Sequence, residues 1–537
     1  MKNSYKAIAL VLALTAGAAC SDDFLSEVPA DFVSPENFYR NQGDALSALT
    51  AAYATFIGLE SPLGNADYVG RNLYMLVEYP TEMVTSRLSA TNERSLIGNY
   101  HTQFNSTHPY LESVWKAAYF GINRANSVID RVPTVEMDAT RRDQIVGEAK
   151  FLRAVHYYYL AGLFGGVPLK LEPTSSIEGA TLPRATAKDT WAQIAKDLTE
   201  AAAVLPNSWP GGDFGRATKG AALTLLAKSY LQAAASGASD AGDFAKAAAA
   251  FRAVLTLGYS LDANYASMFD GTNEKSPELI WSIQNVRSSG AGGYLTQWNA
   301  PVTSPTIIQF TPQNQFQAER PFYDSYNATD IRKAGTWFTA LTYNNKTVAW
   351  QWVSTLSPGI QTATQYGSTG PVPRKYVDTG APAAAAEGID YAILRYADVL
   401  LGLAEAINAQ SGPTAEAYSL VNQVRTRAKI PNLTPGLAQG AFRDSVFVER
   451  RFEFAMELHG VFDNRRNWTW AKGRVESNMA QIAALNRTPF TSSVEKFDAR
   501  PIPDKWRLYP IPAHACELNA ELVQNPGWTD VTCKPGT

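Results

Sequence analysis

The chain has 537 residues, of which 45% are hydrophobic and 18% charged, so it is long enough for a large core and is not disordered by composition. The formal net charge is -3 and no lysine and arginine block occurs, which argues against nucleic acid as a partner. The aromatic content of 11%, with 12 Trp and 25 Tyr, favours a binding function, because amphipathic rings stack on the flat apolar faces of ligands.

The first residues predict export from the cytoplasm. Lys2 and Lys6 form a short basic head, an apolar run covers 7–14, and small residues fill 15–19, which is the order found in secretory signals. The apolar run is about half of the roughly 20 residues that a membrane-spanning helix requires. We therefore predict a signal peptide over residues 1–19.

Cys20 follows the small residues directly, and this ending is similar to a bacterial lipobox, whose cysteine becomes the lipidated first residue of the mature chain. The alternative is a plain cleavage site followed by a chance cysteine. Because the chain holds only 3 Cys in all, we favour the lipobox. We predict lipidation of Cys20 and a tether over residues 20–43.

Helical periodicity begins after the tether. A first helix is predicted over 44–57, and apolar residues recur every three or four positions over 112–132 and 145–163. His156 lies on the apolar stripe of the last segment, and no other His or Cys stands near it at metal-ligand spacing. We interpret His156 as a packed core histidine.

Two later helix pairs share a tetratricopeptide-like pattern, in which a small residue allows paired helices to approach closely. The pattern residues are Leu226, Ala227 and Tyr230 with Ala247 and Phe251, then Leu403, Ala404 and Ile407 with Ala417 and Val421. Together with the earlier helices, they predict a mostly all-α fold in which tetratricopeptide-like helical hairpins form one scaffold.

Two segments, 61–109 and 277–388, lack helical periodicity. The second is rich in Thr, Asn, Gln and aromatic residues, so we predict an irregular insertion of loops and short strands at 277–388 within a single domain over 44–537. Long irregular segments of this kind tend to form functional surfaces.

The C-terminal part carries a row of glutamates and two cysteines. Glu449, Glu453 and Glu457 recur at helical spacing among arginines, which indicates neutralised ion pairs more than paired catalytic carboxylates. Cys516 and Cys533 lie outside the reducing cytosol if the chain is exported, and both a disulfide and two free thiols fit the sequence.

Catalytic motifs are missing from the sequence. The 5 His residues include no pair at zinc-ligand spacing, and neither a nucleophile elbow nor a phosphate-binding glycine loop occurs. We therefore predict a binding protein that is not an enzyme and needs no metal or cofactor.

Eight motifs occur in the same order as in the SusD/RagB family of outer-membrane nutrient-binding lipoproteins, and the chain resembles this family over nearly its whole length. The motifs are WKAAYFGINRAN at 115–126, GEAKFLRAVHYYYLAGLFGGVPL at 147–169, GRATKGAALTLLAKSYL at 215–231, RYADVLLGLAEA at 395–406, VNQVRTRA at 421–428, ERRFEFAMELHGVFDNRRNW at 449–468, YPIP at 509–512 and QNPGW at 524–528.

The resemblance implies a non-catalytic, lipid-anchored protein on the extracellular face of a Bacteroidetes-type outer membrane. It also implies a partner, a TonB-dependent transporter of the SusC-like kind, over which the protein acts as a lid. Ser21, Asp22 and Asp23, which follow Cys20, resemble the acidic export signal of such surface lipoproteins. Six charged motif residues are interpreted as helix-packing ion pairs, namely Glu148, Arg153, Arg395, Asp398, Glu405 and Glu449.

The function that we predict is binding of an oligosaccharide at the cell surface and its delivery to the transporter. Sugars present apolar C–H faces to Trp and Tyr, while Arg and Asn bond their hydroxyls. The candidate ligand residues are Tyr68, Arg71, Tyr74, Arg87, Asn92 and Tyr100 from the first irregular segment, with Trp298, Trp337, Trp350 and Trp352 from the insertion. For each tryptophan, core filling is the competing interpretation. The alternative function is a peptide-binding or purely structural lid of the same transporter system.

Overall fold

The structure is a computed structural model that describes residues 38–57, 68–86, 93–98, 100–174, 181–238, 240–288, 292–300, 313, 315–343, 346–349, 371–484, 501–529 and 533. The predicted signal peptide, Cys20 and residues 20–37 of the predicted tether lie outside these ranges.

Helices dominate the described residues, which confirms the predicted mostly α-helical fold. In chain order they are α1 Gln42–Ala54, α2 Tyr74–Glu78 (which continues a short π-helix, Tyr68–Leu73), α3 Glu93–Gly98, α4 Pro109–Arg131, α5 Ala139–Phe164, α6 Ala187–Val204, α7 Lys219–Ala235, α8 Asp243–Leu255, α9 Leu295–Asn299, α10 Arg320–Asp324, α11 Arg332–Thr336, α12 Tyr396–Ser411, α13 Ala415–Arg427, α14 Gln439–Phe454, α15 Gly460–Arg466, α16 Trp468–Ala484 and α17 Ala513–Leu518.

Side-chain caps set the start of several long helices. Asp138, Thr186, Thr218 and Thr414 precede α5, α6, α7 and α13, and each accepts a hydrogen bond from the backbone N–H three residues later. Such a cap satisfies one of the amide donors that the first turn leaves without an intrahelical partner. At the other end of α5, Gly165 takes a φ of 80°, a conformation that suits glycine and ends the helix.

Consecutive long helices pack side by side as hairpins. The order of contact runs from α4 to α8 without a break, and α8 then packs on α12, which packs on α13. At the α8–α12 crossing a Cβ on Gly402 would lie 2.5 Å from Cζ of Phe251, so only glycine permits this approach. The two helix pairs predicted from the sequence therefore adjoin in space, although the insertion separates them along the chain.

Short strands and short helices replace long helices in the insertion. The strands of the described residues are β1 Val84–Ser86, β2 Leu279–Ile283, β3 Phe316–Ala318, β4 Ala340–Tyr343, β5 Lys346–Ala349 and β6 Tyr391–Arg395. They form three antiparallel pairs, β1 with β3, β2 with β6 and β4 with β5. In the first pair Thr85 is opposite Gln317, so this pair ties the first irregular segment to the insertion.

Buried ion pairs join the packed elements, and all six charged motif residues take part, as predicted, although Arg395 lies on β6 and not on a helix. The pairs are Glu148 with Arg141 and Arg216, Arg153 with Asp197, Arg395 with Glu278, Glu453 and Glu457, Asp398 with Lys228 and Arg450, Glu405 with Arg466, and Glu449 with Arg332 and Arg425. Burial opposes the charge on Asp398, but Lys228 and Arg450 outweigh it and hold the pKa of Asp398 well below its ordinary value. Glu449 and Glu453 lie on α14, and Glu457 follows the end of this helix at Phe454. All three are neutralised by arginine or lysine, as the sequence predicts.

His156 is a core residue, which confirms its interpretation from the sequence. It is fully buried, its ring stacks on Phe56 at 4.3 Å, and its two nitrogens lie within hydrogen-bond distance of Thr55 Oγ1 (3.2 Å) and Tyr68 OH (3.4 Å). Burial lowers the pKa of His156 to about 3, so the ring is neutral at physiological pH.

The C-terminal segment is closed by a disulfide. Cys516 on α17 bonds to Cys533, and their Cα atoms are 4.9 Å apart. The bond ties α17 to the end of the described chain.

Candidate functional site

The two irregular segments meet at the indole ring of Trp298. The π-helix carries Arg71, α3 carries Arg94, and α9 carries Trp298. Cζ of Arg71 lies 4.6 Å from the centroid of the Trp298 ring, and Cζ of Arg94 lies 5.4 Å from it. Both arginines are partly exposed, whereas Trp298 is buried. We call these three residues the Arg–Trp site.

Hydrogen bonds hold Arg94 in place over the indole. Its Nε donates to the hydroxyl of Tyr110 at 2.8 Å, and its Nη1 donates to Oε1 of Gln315 at 2.9 Å. The backbone N–H of Gln315 in turn donates to the carbonyl of Trp298 at 2.7 Å, and Tyr79 donates its hydroxyl to the Gln315 carbonyl. Segments that are distant in sequence thus fix one guanidinium in one plane.

The position of α9 depends on Glu387, at the far end of the insertion, and on Tyr391, the first residue of β6. The hydroxyl of Tyr391 accepts the backbone N–H of Tyr294 at 2.6 Å, and the side chain of Glu387 accepts the backbone N–H of Thr296 at 2.5 Å. Burial raises the pKa of Glu387 to about 7, against the lowering effect of these hydrogen bonds. These two hydrogen bonds therefore fix the start of α9, the short helix that carries Trp298.

The chemistry that this arrangement offers is recognition by planar donors. A guanidinium that stacks on an indole is stabilised by the ring quadrupole and keeps its N–H groups in one plane. Such a plane of donors suits neighbouring hydroxyl oxygens or a carboxylate. Within the described residues no group of three or more His, Cys, Asp and Glu is arranged to hold a metal ion.

Arg71 and Trp298 are the two predicted ligand residues that the structure brings together. Arg94, Tyr110 and Gln315 complete the arrangement and were not predicted. Arg94 lies in the first irregular segment, and this position in the chain is the signal that could have identified it as a site residue. Gln315 reaches the site through the β1–β3 pairing, and the sequence pattern carries no sign of that pairing.

Four other predicted ligand residues lie in the core, each at most 5% exposed. Tyr68 is hydrogen-bonded to His156, the hydroxyl of Tyr74 donates to the Met456 carbonyl, that of Tyr100 to the Pro80 carbonyl, and Nε1 of Trp337 to the Tyr326 hydroxyl. In this structure their rings have no free face for a sugar, because each one fills the core between packed elements.

The remaining predicted residues, Arg87, Asn92, Trp350, Trp352 and Cys20, lie outside the described residues, and their roles stay predictions. No helix of the described ranges is both long enough and apolar enough to span a membrane.

Comparison with known families gives two matches. The model of the SusD family matches residues 256–528, and a model described as starch-binding and associating with the outer membrane matches residues 59–231. The first match covers the insertion and the C-terminal helices, and the second runs from the first irregular segment into α7.

Individual relatives extend this similarity over most of the chain. A SusD-like protein of Formosa agariphila is 25% identical over 488 residues, covering 86% of this chain and 90% of the relative. The starch-binding protein SusD of Bacteroides thetaiotaomicron is 25% identical over 475 residues, covering 78% of each.

Solved structures share the fold. A SusD homolog from Bacteroides thetaiotaomicron superposes with a TM-score of 0.76 at 23% identity, covering 92% of this chain and 98% of its own. A laminarin-binding SusD-like protein superposes with a TM-score of 0.70 at 23% identity, covering 91% and 100%. The helical hairpins, the ordered motifs and these matches agree, and the chain belongs to the SusD family.

Proposed function

We propose that this protein binds glycans at the cell surface and delivers them to a TonB-dependent outer-membrane transporter. The observation that carries the proposal is the stacking of Arg71 and Arg94 on Trp298, where the two irregular segments meet. It is supported by a relative named as starch-binding, a structural neighbour named as laminarin-binding, and a family model described as associating with the outer membrane.

The Arg–Trp site suits the hydroxyl groups of a sugar. Both arginines are partly exposed and fixed against one ring, so their N–H groups bond adjacent hydroxyls at a small cost in side-chain entropy. The same proposal includes a ligand-contacting role for Arg87, Asn92, Trp350 and Trp352.

The proposal also includes the location of the protein in the cell. A lipid on Cys20 would hold the protein on the extracellular face of the outer membrane, above a SusC-like transporter that takes up the bound glycan. One acyl chain alone gives marginal membrane binding, so a stable anchor needs several chains or a second contact. In this arrangement the protein is a binding lid and carries out no reaction.

Calorimetry of the purified protein against a panel of neutral and acidic oligosaccharides tests the binding. We expect Arg71→Ala and Arg94→Ala each to lower the affinity for the bound glycan by about tenfold or more, because a hydrogen bond to a charged group contributes about 1.5–3 kcal/mol. The matched control is Arg252→Ala, which removes an exposed arginine that pairs with Glu416 on α13 and is not part of the Arg–Trp site.

Two results would contradict the proposal: no binding to any glycan of the panel, or unchanged affinity in both site variants. If the protein bound no glycan and still co-purified with an outer-membrane barrel protein, the structural-lid alternative would replace it.

A further inference from the structure

A cavity lies where the end of α5, the start of α6 and the end of α7 meet α15. Its volume is about 270 Å³, close to the lower limit of about 300 Å³ for small-ligand pockets, so it suits one small unit. Trp191 and Leu508 give it apolar walls, and Arg465, Lys505 and Arg507 give it positive charge.

Arg465 differs from the other buried arginines of the described residues. It is 8% exposed and pairs with no carboxylate of the described chain. The others each pair with at least one carboxylate, namely Arg153, Arg332, Arg395, Arg427, Arg450 and Arg451. Burial lowers the pKa of Arg465 to about 10, because no carboxylate beside the guanidinium offsets its loss of contact with water.

One edge of the Arg465 guanidinium is buried without a hydrogen-bond partner in the described structure. Nη1 donates to the carbonyl of Gly162, whereas Nε and Nη2 are buried and have no hydrogen-bond partner in the described structure. These two nitrogens form the edge that bonds both oxygens of a carboxylate.

The same edge holds a carboxylate in other arginines of this chain. Arg153 donates to Asp197 through Nε at 2.8 Å and Nη2 at 2.7 Å. Arg466, which directly follows Arg465 in the chain, donates to Glu405 through Nε at 2.8 Å and Nη2 at 3.0 Å. Arg465 therefore has the form of a bidentate carboxylate site whose acid the described chain does not supply.

The other charges around the cavity favour an anion. Asp504 is the one carboxylate among the described residues that line it, and its Oδ1 already accepts from Trp468 Nε1 at 2.9 Å and Lys472 Nζ at 3.3 Å. Lys505 lines the cavity, and its Nζ lies 4.0 Å from the centroid of the Trp528 ring. The lining is thus positive overall.

We propose that this cavity binds the carboxylate of a hexuronate unit in an acidic glycan. The carboxylate bonds Nε and Nη2 of Arg465, and the sugar ring lies between the apolar walls. The Gly162 carbonyl holds one nitrogen of the Arg465 guanidinium, and its Cζ lies 4.8 Å from the centroid of the Tyr509 ring. The guanidinium turns its unpartnered edge towards the cavity when the ligand enters. The inference rests on the proposed glycan-binding function and assigns to it a class of acidic ligand and a second site.

The test is calorimetry of the purified full-length protein with galacturonate, glucuronate and galacturonate trimers. Galactose and glucose are the neutral controls, and acetate is a carboxylate without a ring. We expect the hexuronates to bind, the neutral sugars to bind at least about tenfold more weakly at this cavity, and Arg465→Gln to weaken hexuronate binding about tenfold or more. Arg252→Gln, on an exposed face, should keep wild-type affinity.

Folding of each variant is checked by its thermal transition. If Arg465→Gln does not fold, the double variant Lys505→Gln with Arg507→Gln carries the test, and it should also weaken hexuronate binding, because it removes two charges of the cavity without opening the core. Absence of hexuronate binding, equal binding of acetate, or unchanged affinity in these variants would overturn the inference. A glycan that binds and responds to Arg71→Ala while hexuronates do not bind would refute this site and leave the proposed function standing.

Discussion

At the scale of single residues, burial decides which groups carry charge. Asp390 is 6% exposed, and one of its oxygens accepts the backbone N–H of Asn285 at 2.8 Å. Burial raises the pKa of Asp390 from 3.8 to about 7; the Asn285 hydrogen bond lowers it and Glu274 raises it. The folded protein therefore binds this proton more tightly than the unfolded chain does.

This linkage predicts a contribution to stability that falls as the pH rises from about 4 to about 7 through Asp390. Asp390→Asn keeps an acceptor for Asn285 and carries no titrating proton, so the variant should lose less stability over this range. We expect the difference in the free energy of unfolding between about pH 4.5 and pH 8 to shrink by about 1–3 kcal/mol, since a tenfold change in proton affinity is about 1.4 kcal/mol.

Urea unfolding of both proteins at the two pH values measures the effect. Asp324→Asn, at a half-exposed carboxyl, controls for the substitution itself. An equal pH dependence in wild type and Asp390→Asn would show that Asp390 is charged in the folded protein across this range.

Residue roles were predictable from the sequence where a regular pattern determines them. His156 lies on an apolar helical stripe, and the stripe is sufficient to place it in the core. The ligand residues follow no such pattern, because an aromatic ring in an irregular segment is exposed or buried according to tertiary contacts. Trp298 and Trp337 belong to the same insertion and are both buried, but Trp298 lies against two partly exposed arginines, whereas Trp337 bonds the buried Tyr326.

At the scale of elements, the α8–α12 crossing depends on one glycine. A Cβ at position 402 would lie 2.5 Å from Phe251 Cζ, and both residues are buried where the helices cross. Gly402→Ala should lower the free energy of unfolding by about 1–3 kcal/mol, because the two helices must separate or the Phe251 ring must leave its rotamer.

Gly440 is the matched control for this substitution. It lies in α14, and a Cβ added there would have no other atom within 4 Å, so Gly440→Ala should be neutral or stabilise the protein by up to about 1 kcal/mol. Denaturant unfolding of the two variants compares them directly. A Gly402→Ala protein as stable as wild type would mean that the crossing tolerates a wider separation.

The elements differ in how far the sequence predicts them. Long helices such as α4 and α5 follow from periodicity and from caps such as Asp138. The insertion was predicted as a region of loops and short strands, but its pairings were not. β1 with β3 joins residues more than two hundred positions apart, and only tertiary packing selects that register.

At the scale of the whole molecule, the proposed anchor and the folded scaffold are separable. Cys20 precedes the first described residue, Phe38, by a short stretch, and the Arg–Trp site is built from residues much later in the chain. Cys20→Ala should therefore leave folding and glycan affinity unchanged while releasing the protein from the outer membrane and impairing glycan uptake.

Membrane fractionation with immunodetection measures the release, and calorimetry on the same variant measures binding. A Cys20→Ala protein that stays with the membrane in a strain lacking the transporter would contradict lipidation at this residue.

Glycan binding at the cell surface through the Arg–Trp site is tested most directly by labelling of intact cells. Cells that display the wild-type protein are incubated with the fluorescently labelled oligosaccharide that binds best in calorimetry, and an antibody measures the surface amount. We predict labelling by wild type and by Arg252→Ala, and labelling reduced about tenfold or more by Arg71→Ala and by Arg94→Ala at equal surface amount. Equal labelling of all four strains, or a protein that antibody cannot reach on intact cells, would contradict glycan binding at this site on the cell surface.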